Sequence, residues 1–265
     1  MPVSSTVTIQ FNVNEQKGDP FVGFTKTARR RLRHFGKRIE GFQRGTERPA
    51  TFRYGTLAAW QTLIAGSSGD MTLTVNGVDM VTAYATSATV TATAMALAVN
   101  SSSDALISGH VQAGNLATTI ALATTLAQGS ISICGYTLRP VKKASLQDGD
   151  FEISGSDTAD GAALVTAINS MPGLQDLIIA VNSSGTVTIR ARGPSTTLPI
   201  NQVTKTGTSG ITLGAGAMAA TSTVVLSALN KGIVGNTITC ALTGTGSSIA
   251  GARLAGGTST SASYP

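Results

Sequence analysis

The 265-residue chain is 42% hydrophobic but only 12% charged and 5% aromatic, with a formal net charge of +6 and two cysteines. So little charge beside so much Ala, Val, Ile, Leu and Thr excludes a disordered chain, and the β-branched share favours strands over long helices. With one Trp and four Tyr the chain is poor in the aromatic clusters of a glycan-binding module, which stays a second alternative, and two His with no CxxC leave no zinc-type cluster.

Residues 1–53 hold 11 of the 19 Lys and Arg but 4 of the 13 Asp and Glu, so the whole positive excess lies in the first fifth of the chain. That asymmetry describes an arm meeting an acidic partner, either nucleic acid or a negatively charged protein surface. Residues 1–65 read as this arm. VSSTVTIQFNV (3–13) alternates as a strand with Val7, Ile9, Phe11 and Val13 on one face. After a Gly-Asp-Pro break, TKTARRRLRHFGKRIEGFQRG (25–45) spaces Leu32, Phe35, Ile39 and Phe42 along one helical face, with Arg29, Arg30, Arg31, Arg33, Lys37 and Arg38 around the rest. These ten residues are the candidate docking site. The stripe suits a protein surface, the arginines suit phosphates, and Phe35, Phe42, Phe52 and Tyr54 offer stacking to a single strand. Protein docking, nucleic-acid binding through 26–53 and a solvated face all remain open. TLAAWQTLIAG (56–66) reads as a second, short apolar helix.

From residue 69 an internal repeat begins. GDMTLTVNGVDM (69–80) resembles GSISICGYTLRP (129–140), each a strand, a two-residue turn and a returning strand. Ala-rich helical stretches follow at 87–102 and 156–171, the second with Ser156 or Asp157 as cap and Leu164, Ile168 and Met171 as buried stripe. AVNSS aligns with AINSM. Further strands are expected at 105–122 and 177–192, and the second copy carries an insertion, KKASLQDGDFEI, before its helix. PINQVTKTGTSGITLGAGAM (199–218) parallels 235–257. The expected fold is mainly β with short helices (α+β): a first module at 69–128, a second at 129–220 and a strand-rich partial repeat at 221–265, behind the arm.

Within the later part of the chain, FEISGSDTADGAALVTAIN, SGTVTIRARGP, GIVGNTIT and ARLAGGT together resemble a module of tailed-bacteriophage virion structural proteins. That family's pattern is a hairpin, a T-A-A-x-L-x-x-A-I-N helix, a T-V-T-x-x-A-R strand, a P-G-x-x-G-N loop and a closing L-x-G-G. Thr158, Ala159, Leu164, Ala167, Ile168, Asn169, Gly235, Asn236, Leu254, Gly256 and Gly257 match it, whereas Lys231–Gly232 stands where Pro-Gly is expected. The likeness covers 130–257, extends less closely over 69–125 and leaves out the arm. It implies a non-enzymatic component of the virion, assembled in the host cytoplasm. A capsid-decorating or cement protein comes first, a tail, neck or fibre component second. The implied partners are the major capsid protein or tail proteins and copies of the chain itself.

Enzymes need convergent nucleophiles, bases or metal ligands. The chain has no HExxH, GxSxG or Walker loop, and His34 and His110 stand in no motif. No catalytic, cofactor or metal site is expected. The one acidic concentration, Asp148, Asp150, Glu152, Asp157 and Asp160, reads as a Ca²⁺ site or as a solvated loop with a helix cap, and it could also receive a neighbour's arm. Cys134 and Cys240 lie in apolar strand-like stretches as expected free thiols. No apolar run reaches the ~18 residues of a membrane span.

Overall fold

The computed structural model describes residues 51–125, 127–142, 147, 149–199, 202–207 and 210–263. The predicted strand 3–13 and helix 25–45 lie outside the described residues. Residues 55–259 form one compact unit, and, of the other described residues, 51–54 and 260–263 group apart from it.

In chain order the elements are β1 (Thr51–Ile64), β2 (Ser68–Val75), β3 (Val78–Thr82), α1 (Ala88–Asn100), β4 (Val111–Leu122), β5 (Ser130–Ile133), β6 (Tyr136–Val141) and β7 (Asp150–Glu152). Then follow α2 (Asp157–Ser170), α3 (Pro172–Gln175), β8 (Ile178–Ser183), β9 (Thr186–Ala191), β10 (Val203–Thr206), β11 (Ile211–Leu213), β12 (Ala219–Lys231), β13 (Cys240–Thr245), β14 (Ser248–Ile249) and β15 (Thr258–Ser263). The fold is mainly β with short helices, as expected.

Three hairpins close through two-residue turns in which both residues have positive φ: Asn76–Gly77 (51° and 82°), Cys134–Gly135 (50° and 87°) and Ser184–Gly185 (49° and 85°). This backbone twist matches that of the flanking strands, which is why such turns set hairpin register. The first two turns are the two that the sequence repeat brings into line.

One topology is used twice. Sheet β13-β2-β3, helix α1 and the antiparallel pair β4–β12 enclose one core, which includes Leu63, Met71, Leu73, Met95, Val99, Val224, Leu226 and Leu254. Sheet β10-β5-β6, helix α2 and the pair β8–β9 enclose a second, which includes Ile131, Leu138, Phe151, Leu164, Ile168, Ile178 and Ile189. The second module lies between β4 and β12, so it is inserted at the tip of the first module's own hairpin. Residues 221–254 therefore complete the first module rather than packing apart from it. A continuous sheet, β14-β1-β12-β4-β9-β8, joins both modules. Within it β4 is shared: residues 111–117 pair with β12 on one side, and residues 117–121 pair with β9 on the other.

Two sequence expectations are corrected. The stretch 56–66 is no helix: it runs into β1, pairing Thr62 with Val225 and Leu63 with Val224. Its apolar spacing fits either period, and short apolar runs do not decide between them; the remote partner β12 does. Nor is α2 capped by Ser156 or Asp157. Ser156 stands at the N-cap without a side-chain bond, and the Asp157 carboxylate accepts from the Thr124 N–H at 2.8 Å.

Candidate interaction surfaces

The helices are fixed to the sheets by a repeated side-chain device. Asn100 ends α1, donates to the Ala113 carbonyl at 2.8 Å and accepts from the Ala113 N–H at 2.9 Å. Asn169, near the end of α2, does the same with Ala180, both bonds being 2.9 Å. Each Asn satisfies the backbone of the following strand on the side without a strand partner. At the helix starts, Thr91 Oγ1 accepts from the Ala85 N–H at 3.0 Å and Asp160 Oδ1 from the Ser154 N–H at 2.6 Å, from equivalent positions. A third Asn, Asn236, makes the same two-bond pair with Gly257 at 3.0 and 2.9 Å.

This equivalence allows the two modules to be compared residue by residue. Val90 and Leu97 of α1 correspond to Ala159 and Thr166 of α2. Val90 is 47% exposed and Leu97 65% exposed, and α1 carries no charged residue at all. Met95, Ala96 and Val99 form its buried side; the sequence expectations assign no face to this helix. The signal was available: no charged residue interrupts 88–100, so no strongly hydrated face is reserved for water.

A groove of about 220 Å³ lies on the open face of the joint sheet, lined by Trp60, Thr62, Ile64, Ile179, Val181, Arg190 and Thr223. It exists because the sheet curls, bringing β1 and β8 together across three intervening strands. Arg192, 1% exposed, donates to the Ile178 carbonyl at 3.1 Å and to the Ala58 carbonyl at 3.2 Å, tying the modules to each other. Burial pulls its pKa down to about 10, against the opposing pull of Asp176. Its Nη2 has no partner. Burial also lowers the pKa of Arg190. A half-buried cation among apolar side chains suits an apolar group carrying an acid, but nothing in the groove resembles a catalytic constellation.

The ten predicted docking residues, Arg29, Arg30, Arg31, Leu32, Arg33, Phe35, Lys37, Arg38, Ile39 and Phe42, lie outside the described residues, as do His34 and Asp148. The structure does not gather the remaining acids into one ligand set. Asp150 pairs with Arg139 at 2.9 Å and accepts from the Gln147 N–H at 3.0 Å, while Asp157 and Asp160 hold the backbone groups already named. Among the described residues no group of three or more His, Cys, Asp and Glu is placed to hold a metal. His110 is exposed, and its carbonyl accepts from the Leu229 N–H. Cys134 and Cys240 are free and buried, one in each core, and burial pushes each thiol up to about 11. No helix among the described residues is long and apolar enough to cross a membrane.

No family model and no curated protein matches the chain. The loop Gly235–Asn236 and the closing Leu254–Gly257, grouped in the sequence with the second module, belong to the first: Leu254 is buried in the first core, and Asn236 holds Gly257 there. The extra strands that separate helix α2 from that loop are thus the end of one module and the resumption of another.

Proposed function

We propose that the chain is a structural protein of a tailed-phage virion, a capsid-decorating or cement protein that docks on neighbouring subunits through its basic N-terminal arm. The observation that carries the reading is the uncharged, apolar outer side of α1, where the equivalent helix of the second module shows Ala159 and Thr166. Two near-copies of one module differ here in the direction expected of a surface reserved for protein contact. The module resemblance supplies the virion context, and turn-rich β modules repeated within one chain suit a lattice of like subunits.

Nucleic-acid binding finds less support. Arg139 and Lys231 are paired with Asp150 and Asp176, the latter pair at 3.0 Å, and the concentration of basic residues lies in 26–53. The test is immunogold labelling of intact particles, with binding of the purified chain to empty capsids and to tails measured in parallel. Saturable binding to capsids at regular sites supports the reading, and binding to tails alone replaces the cement role with a tail role. Absence from the particle, or steeply salt-dependent DNA binding without particle binding, refutes it.

A further inference from the structure

The two modules differ at one sheet edge. In the second, the outer edge of β6 is covered by β7, which pairs in parallel with Arg139 opposite Asp150 and Pro140 opposite Phe151. The Arg139 N–H donates to the Gly149 carbonyl at 2.8 Å, and the Val141 carbonyl accepts from Ile153 at 2.9 Å. The insertion KKASLQDGDFEI provides this covering strand. The first module has no such insertion, and β3 ends the order β13-β2-β3. Counting from the two turns, Val81 stands where Arg139 stands. Val75 opposite Val78 closes the hairpin, so the alternation of the ladder turns the N–H and C=O of Asp79 and Val81 outward. No strand among the described residues pairs with that edge, and the Val81 side chain is 66% exposed.

An open edge is a template for another strand. We infer that β3 receives residues 3–13 of a second copy of this chain, added in parallel as β7 is added to β6. A symmetric pair of β3 edges is the competing occupant, but two identical edges related by a two-fold axis meet antiparallel, whereas the covered edge in the repeat is parallel. Segment 3–13 also has the right two sides. Thr6, Thr8, Gln10 and Asn12 continue the outer face of Thr72, Thr74 and Thr243, and Val7, Ile9, Phe11 and Val13 form an apolar opposite side. Residues 14–50 between this segment and β1 can extend up to ~120 Å, enough to reach a neighbour. The inference supplies the contact for the self-association part of the proposed function and does not depend on where in a particle the copies sit.

The experiment is amide hydrogen exchange on the full chain, read at residues 78–82 across a dilution series, with molar mass followed by light scattering. Exchange at Asp79 and Val81 should slow at least tenfold as copies associate. Val81→Pro removes an outward N–H that the fold itself does not use, so the variant should keep its melting temperature yet associate at least tenfold more weakly. Phe11→Asp should do the same from the other side. Protection of β3 in a chain that stays monomeric overturns the inference, as does association that survives both substitutions. Loss of association on Val81→Pro but not on Phe11→Asp assigns the edge to another occupant and also overturns it. Failure to locate the chain in a particle, with β3 protection intact, would instead refute the virion reading alone.

Discussion

Replacing Asn169 by Ala removes two hydrogen bonds of 2.9 Å and leaves the Ala180 N–H and C=O facing no partner on a strand residue that is 1% exposed. Each lost bond is worth about 1 kcal/mol net, and each buried group left unsatisfied costs about 1–3 kcal/mol, partly the same energy counted twice. A loss of roughly 2–4 kcal/mol is expected, which for a unit of this size lowers the melting temperature by about 5–15 °C. Asn100→Ala breaks the same pair on α1 against Ala113, which is 0% exposed, so a similar loss of roughly 2–4 kcal/mol is expected. Asn169→Asp keeps the acceptor but sets a carboxylate against the Ala180 carbonyl, and should be no better than Ala. Urea denaturation of the three single variants and of the Asn100/Asn169 double variant measures this, with exchange at the Ala180 amide as the local readout. A cost below about 0.5 kcal/mol for either single variant would refute the argument that satisfaction of a buried strand edge is what the repeated Asn provides.

Two further outcomes are expected. Gly114→Ala should destabilise the chain by at least ~3 kcal/mol, because an added Cβ would meet the backbone carbonyl oxygens of Ala191 at 2.6 Å and of Gly193, with no flexible side chain to give way; thermal melts compare it with Ala117→Gly as a control on the same strand. Stability should fall as pH rises from about 9 to about 11, because the folded thiols of Cys134 and Cys240 titrate near 11 while the unfolded ones ionise from about 9 and so release protons first. Urea midpoints at pH 8, 9.5 and 10.5 read this, and the slope should flatten in the Cys134→Ala/Cys240→Ala variant.

What the sequence shows and what it hides follow the range of the forces involved. The hairpin turns are legible because Asn76–Gly77 and Cys134–Gly135 act locally, and α1 and α2 are legible because their length and Ala content leave few alternatives. The repeated Asn could be aligned as AVNSS with AINSM, yet its role could not be read, since Ala113 and Ala180 lie on strands reached only after a loop. β1 was misread because pairing with β12, more than 160 residues away, decides its conformation. The corresponding failure at α2 is small but instructive: Ser156 and Asp157 have the chemistry of a cap, and the Thr124 N–H from β4's end outcompetes the helix for Asp157. All ten candidate docking residues lie outside the described residues, whereas the apolar side of α1 and the open edge of β3 emerge only when the two modules are laid over each other.

The position of the second module inside a hairpin of the first also imposes an order in time. Its own core is formed by residues from 120 to 218, a continuous segment that can close as soon as it leaves the ribosome. The first core needs Val224, Leu226, Cys240 and Leu254 before it can be completed, so β2, β3 and α1 are made early and must wait. During that interval β2 lacks β13 and β4 lacks β12, which makes the nascent first module the segment most exposed to mispairing between chains on one polysome. A slow step late in the message would lengthen this exposure, and a chaperone acting on this protein would find its substrate there rather than in the module that folds first.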